Sequence, residues 1–110
     1  MGELRYGTAE PVVIDDRTLF HLQVVVGAKL RRRESFYLTL GSPGRGFSRE
    51  TIWLDPSVHV VFAYTDDDPI QLNRNWLEVL SNSANSAHGL RLVPEDCPEV
   101  KEYRSPALAG

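Results

Sequence analysis

The sequence has one cysteine, one methionine and two lysines, and no aliphatic run longer than three residues such as Val24-Val25-Val26. The lone Cys97 rules out an internal disulfide and a cysteine-based metal cluster, and points to a reducing compartment or to a redox-indifferent protein. Short aliphatic runs leave nothing to span a membrane, and no apolar stretch follows Met1-Gly2-Glu3-Leu4-Arg5-Tyr6, so neither a membrane segment nor a signal peptide is expected. A net charge of −3 argues against coating nucleic acid by bulk electrostatics, while leaving room for a local basic patch. What is present is the profile of one ordinary domain: 110 residues, 42% apolar, 25% charged and 9% aromatic. Roughly 65% of the unfolded surface can be buried at this size, so no staple is needed.

Leu4 to Gly7 and Pro11 to Ile14 are β-prone runs that read as a hairpin. Asp15 and Asp16 offer caps to a helix from about Arg17 to Arg33, whose Leu19, Leu22, Val26 and Leu30 share one face. The period then switches to two, with Phe36, Leu38 and Leu40 alternating with Tyr37 and Thr39. Thr51 to Leu54 and Val58 to Tyr64 supply two more strands around Asp55-Pro56-Ser57, giving an expected three-stranded meander. Leu72, Trp76, Val79 and Leu80 mark a second amphipathic helix from about Leu72 to Ser83, and Leu90 to Val93 a last short strand stopped by Pro94. Residues 95–110, with little apolar periodicity, read as a flexible C-terminal tail after a single domain of residues 1–94. The order ββαβββαβ predicts an α+β fold, a mainly antiparallel sheet with two helices packed on one face.

Catalytic chemistry finds no assembled set. Gly41 to Gly46 lacks the lysine of a phosphate loop and precedes a strand, so it reads as a hairpin loop. His21, His59 and His88 show no metal-ligand spacing, and no strained nucleophile elbow is present. Acidic neighbours keep Cys97 from being an activated thiolate. Asp66-Asp67-Asp68 lacks the spacing and distal glutamate of a calcium loop and reads as a solvated turn. No catalytic residue, metal or cofactor is therefore expected.

Charge is the uneven feature. From Lys29 to Glu50, Lys29, Arg31, Arg32, Arg33, Arg45 and Arg49 face only Glu34 and Glu50, a local +4 in a chain whose remainder is −7. One reading is that the helix end simply complements its own dipole. The other is an anion or nucleic-acid patch built from those six cations, since arginine suits bidentate phosphate contacts. Phe36, Tyr37, Phe47 and Trp53 lie nearby for base stacking, although Phe36 and one side of the sheet must fill the core. Ten arginines against two lysines also suggest a GC-rich source.

Leu4-Arg5-Tyr6-Gly7, Asp16 to Leu22, Lys29-Leu30-Arg31-Arg32, Glu34-Ser35-Phe36, Thr51 to Leu54, Pro56-Ser57, Leu72-Asn73-Arg74, Trp76, Ser83 to Ser86 and Gly89 to Pro94 together resemble a family of short actinobacterial proteins. The resemblance covers roughly residues 3 to 95. Many members carry the automatic label "ATP-dependent DNA ligase", which implies an actinobacterial cytoplasm and keeps DNA transactions among the candidates. This chain departs from the pattern at Asp55, where a histidine is common, and in its longer Asp66 to Asp68 turn. It also lacks the Lys-x-Asp-Gly motif that a ligase adenylates: Lys29 precedes Leu30-Arg31-Arg32 and Lys101 precedes Glu102-Tyr103-Arg104.

The expectation is thus a small non-catalytic binding module, with a protein partner, a second copy of itself or a nucleic acid as ligand. Two alternatives are a DNA-associated, ligase-like factor and a small hydrolase assembled around Asn82, Asn85 and His88.

Overall fold

A computed structural model of the chain describes residues 1–41 and 49–103. Along the chain run β1 (Gly2–Tyr6), β2 (Val12–Ile14), α1 (Asp16–Arg31), β3 (Phe36–Leu40), β4 (Glu50–Leu54), β5 (Val60–Ala63), α2 (Arg74–Ala84), β6 (Leu90–Arg91) and a short α3 (Pro98–Lys101). The α+β class and the element order follow the sequence reading. None of these helices is long and apolar enough to cross a membrane.

Helix α1 begins where Asp15 accepts from the Thr18 amide at 3.0 Å, as the cap chemistry requires. Asp16, read as a second cap, instead sits in the first turn and holds Thr65 and Asp66 of the chain after β5. The helix ends two residues earlier than the charge run suggested. The Arg33 amide bonds to Leu30 O and the Glu34 amide to Lys29 O, a Schellman closure with Arg33 at φ 65°, a conformation usually left to glycine.

The strands form two sheets, ordered β2-β1-β5 and β4-β3-β6, rather than one. The expected β3-β4-β5 meander is broken after β4. Asp55 closes a turn by accepting from the Ser57 amide at 2.9 Å, while the Tyr6 hydroxyl accepts from the Asp55 amide at 3.0 Å. That hook beside β1 delivers β5 to a four-residue antiparallel ladder with β1 instead of with β4. Three ladders are antiparallel, and β6 pairs in parallel with β3. Each helix consequently covers its own sheet, α1 packing on β1 and β5, α2 on β6 and β3, with the helices also packed together.

The core between them holds Leu4, Ile14, Leu19, Leu22, Val26, Phe36, Leu38, Leu40, Leu54, Trp76, Leu80 and Leu90, all buried. Residues 95–103, part of the expected tail, depart from that reading. Pro98 starts α3, Val100 is 2% exposed, and the Tyr103 hydroxyl donates to Glu78 at 2.9 Å and accepts from Asn82 at 3.1 Å. One buried valine and one anchored tyrosine dock this segment on α2, a pattern too short to register as periodicity. Residues 104–110 lie outside the described residues, as do residues 42–48 with Arg45, Phe47 and most of the expected hairpin loop.

Candidate functional site

Sheet β4-β3-β6 has one face buried under α2 and one face with no element of the described residues packed on it. Period-two geometry assigns the side chains. Phe36, Leu38, Leu40, Leu54 and Leu90 point in and are buried, so Tyr37, Thr39, Thr51, Trp53 and Arg91 point out. Arg49, two residues ahead of Thr51, has the same parity and is exposed. Tyr37 is 47% and Trp53 50% exposed although both are large aromatics. They are direct cross-strand partners in an edge-to-face pair, ring centroids 4.9 Å apart at 66°. The next pair along, Thr39 and Thr51, is joined hydroxyl to hydroxyl at 3.0 Å, and Arg91 lies beside Thr39 in the parallel register.

Two features frame this face. Gly89, at φ +83°, lets β6 enter beside β3: an added Cβ would stand 2.5 Å from the Tyr37 carbonyl oxygen. At the Trp53 end, Asp55 accepts from the Ser57 hydroxyl at 2.7 Å and the Ser35 hydroxyl at 3.0 Å, bonds that hold its carboxyl below the usual aspartate range. The face therefore carries a carboxylate at one end and arginines toward the other.

The six cations singled out by the sequence have different fates. Lys29 is 9% exposed; its ammonium pairs with Glu34 at 2.9 Å, donates to Asn85 at 3.1 Å and sits 5.4 Å from the Phe36 ring centre. Arg32 is tied to the same Glu34 at 3.0 Å. The Arg32 guanidinium first, then the Lys29 ammonium, pulls the Glu34 carboxyl down to about 2. Both cations thus serve the helix end. Arg31, Arg33 and Arg49 are exposed and form no ion pair among the described residues, and the same holds for Arg91, which lay outside the charge run. Arg45 lies outside the described residues. The Leu90-Arg91-Leu92 alternation is the signal that could have identified Arg91 as outward.

A second polar cluster went unnoticed in the sequence. His21 is fully buried and stacked on Trp76, with centroids 4.5 Å apart at 29°. Its Nδ1–H donates to the Arg17 carbonyl at 2.8 Å and its Nε2 accepts from the Asn73 amide at 2.9 Å, so the ring is the neutral Nδ1–H tautomer. Burial foremost lowers its pKa. Beside it Arg17 grips Glu95 through two bonds of 2.8 and 2.7 Å, and Asn73 donates to Glu95 at 2.9 Å. The Arg17 bond first, then that of Asn73, brings Glu95 down to about 2. Every polar atom of this cluster is engaged in joining α1, the start of α2 and the chain before α3. These bonds tie the three segments together.

Asn82, Asn85 and His88 are not joined by any hydrogen bond: Asn82 holds Tyr103, Asn85 holds Lys29, and His88 is exposed. A cleft of about 700 Å³ is lined by Phe20, Gln23, Tyr64 and Asp66 to Ile70. Carboxylate oxygens of Asp66, Asp67 and Asp68 approach within 4.8 Å of one another there, all exposed, with Asp66 accepting from the Asp68 amide at 3.1 Å.

The class so defined is a small α+β domain of two three-stranded sheets, one of them presenting an open face of aromatics, threonines and arginines. The chain belongs to a family described as a domain of unknown function, DUF7882, whose model matches residues 1–95. No curated protein and no solved structure matches it.

Proposed function

We propose that this chain is a non-catalytic cytoplasmic binding module whose ligand is nucleic acid, bound on the outer face of the β4-β3-β6 sheet. The observation that carries the reading is the juxtaposition of two half-exposed aromatic rings with two arginines that form no ion pair among the described residues, on a sheet face that no described element covers. Large exposed aromatics on adjacent strands are costly to leave in water and mark interaction surfaces. Arg49 and Arg91 supply phosphate contacts at that face, and Arg31 and Arg33 extend the positive character at the end of α1. Arg45 belongs to the same group by sequence. The reading is non-catalytic because the groups with the largest titration shifts, Glu34, Glu95 and Tyr64, have their polar atoms engaged by neighbouring groups, and so does the buried His21.

Fluorescence anisotropy with labelled oligonucleotides at several salt concentrations tests it. Binding is expected to weaken steeply with salt, with log K falling by about 0.7 to 0.9 per decade of salt for each phosphate neutralised. Arg49→Ala combined with Arg91→Ala flattens that slope by about 1.4 to 1.8. Absence of binding at about 50 mM salt, where such contacts are strong, refutes the reading.

A further inference from the structure

Resting on that reading, we infer that the face takes a single strand, its unpaired bases stacking on Tyr37 and Trp53 while its phosphates meet Arg49 and Arg91. The geometry of the pair is the first argument. In an edge-to-face contact the two rings do not cover each other face to face, and with Tyr37 47% and Trp53 50% exposed each keeps ring surface open to solvent. A base has a π-face to lay on such a surface only when it is out of a duplex, where both its faces are already covered by neighbours. The floor between the aromatic and arginine ends is Thr39 and Thr51, short side chains bonded to each other, over which a strand can lie.

Asp55 stands at the Trp53 end, fixed by Ser35 and Ser57, and its carboxylate repels phosphate there. Arg49 lies four residues back along the chain from Trp53, about 14 Å at the usual rise, so a phosphate-contacting arginine stands at the far end of the face. Duplex recognition needs an element that enters a groove. Here the two long helices pack on the buried sides of the sheets, and the candidate surface is a sheet face.

The test uses a 12-mer of oligothymidine and a blunt 12-base-pair duplex, followed by Trp53 emission and by anisotropy. Trp76 is 1% exposed, so a change in emission on binding reports Trp53. The single strand is expected to quench Trp53 and to bind at least about tenfold more tightly than the duplex. Tyr37→Ala and Trp53→Ala are each expected to weaken single-strand binding about 5- to 150-fold with the salt slope unchanged, while Tyr37→Phe retains it. Arg49→Ala and Arg91→Ala each lower the slope by about 0.7. Both rings lie outside the core, so these variants should still melt cooperatively within several degrees of the wild type, which excludes misfolding. Equal affinity for duplex with unchanged emission, or aromatic variants that bind like the wild type, overturns the single-strand inference while the arginine-dependent slope keeps the nucleic-acid reading. Failure of both probes to bind removes both.

Discussion

Replacing His21 by phenylalanine keeps a flat ring against Trp76 and removes only the two ring nitrogens. The Arg17 carbonyl, inside α1, retains the helix's own hydrogen bond. The Asn73 amide has no such substitute, because its bond at 2.9 Å runs to His21 Nε2. An orphaned buried amide costs about 1–3 kcal/mol, which is the expected loss at pH 7.5. The pH dependence carries a second signature. His21 is held below its usual pKa of 6.5, so the folded ring stays neutral while the unfolded ring takes up a proton below that pH. The unfolded state then binds more protons, and wild-type stability falls as pH drops below 6.5, by up to about 1.4 kcal/mol per unit until the folded pKa is reached. The phenylalanine variant lacks this contribution. Glu34 and Glu95, both brought down to about 2, release their contributions only below the ordinary glutamate range and so stay silent in this window. Urea unfolding at pH 7.5 and 5.5 is therefore expected to show a gap between wild type and variant that narrows at the lower pH. Equal midpoints at pH 7.5, or a gap that does not change with pH, refutes the structural role assigned to His21.

Val100→Ala should cost about 1–3 kcal/mol by emptying the site that docks α3, read as a fall in melting temperature; an unchanged melt would place α3 outside the core. Gly89→Ala forces a side chain into a positive-φ position and against the Tyr37 carbonyl oxygen, so a loss of about 2 kcal/mol or more in chemical denaturation is expected. Glu95 contributes fully above the ordinary glutamate pKa near 4.5, and its contribution disappears as pH falls toward about 2. Over that range the wild type should lose stability more steeply than Glu95→Gln, and parallel acid profiles would contradict the pairing with Arg17.

Local chemistry made parts of this fold readable from the sequence. The Leu19, Leu22 and Val26 stripe, the Asp15 cap and the Phe36-Leu38-Leu40 alternation depend on neighbours a few residues away, and each has its expected place. Pairing across the chain was not readable. Nothing within residues 58–64 tells whether that strand joins β4 or β1; the ladder with β1, and the Tyr6 hydroxyl meeting the Asp55 amide beside it, join positions 49 or more residues apart. His21 likewise looked isolated because its partner Asn73 lies 52 residues on. The charge run alone could not place Lys29, since counting cations along the chain cannot show that Glu34 and Asn85 hold the ammonium. The same count stopped at Glu50 and so passed over Arg91. Parity along the strands would have linked it with Tyr37, Trp53 and Arg49.

The central claim is that the open face of the β4-β3-β6 sheet is where ligand binds. An amide-resolved NMR titration of the protein with a mixed-sequence single-stranded oligonucleotide at low salt tests it most directly. The account predicts shifts concentrated at residues 37, 39, 49, 51, 53 and 91 and in the Trp53 indole N–H, with the Trp76 indole N–H, bonded to Val93 at 2.9 Å, undisturbed. Shifts confined to the cleft at residues 64–70, or to the Arg17–Glu95 cluster, would contradict it.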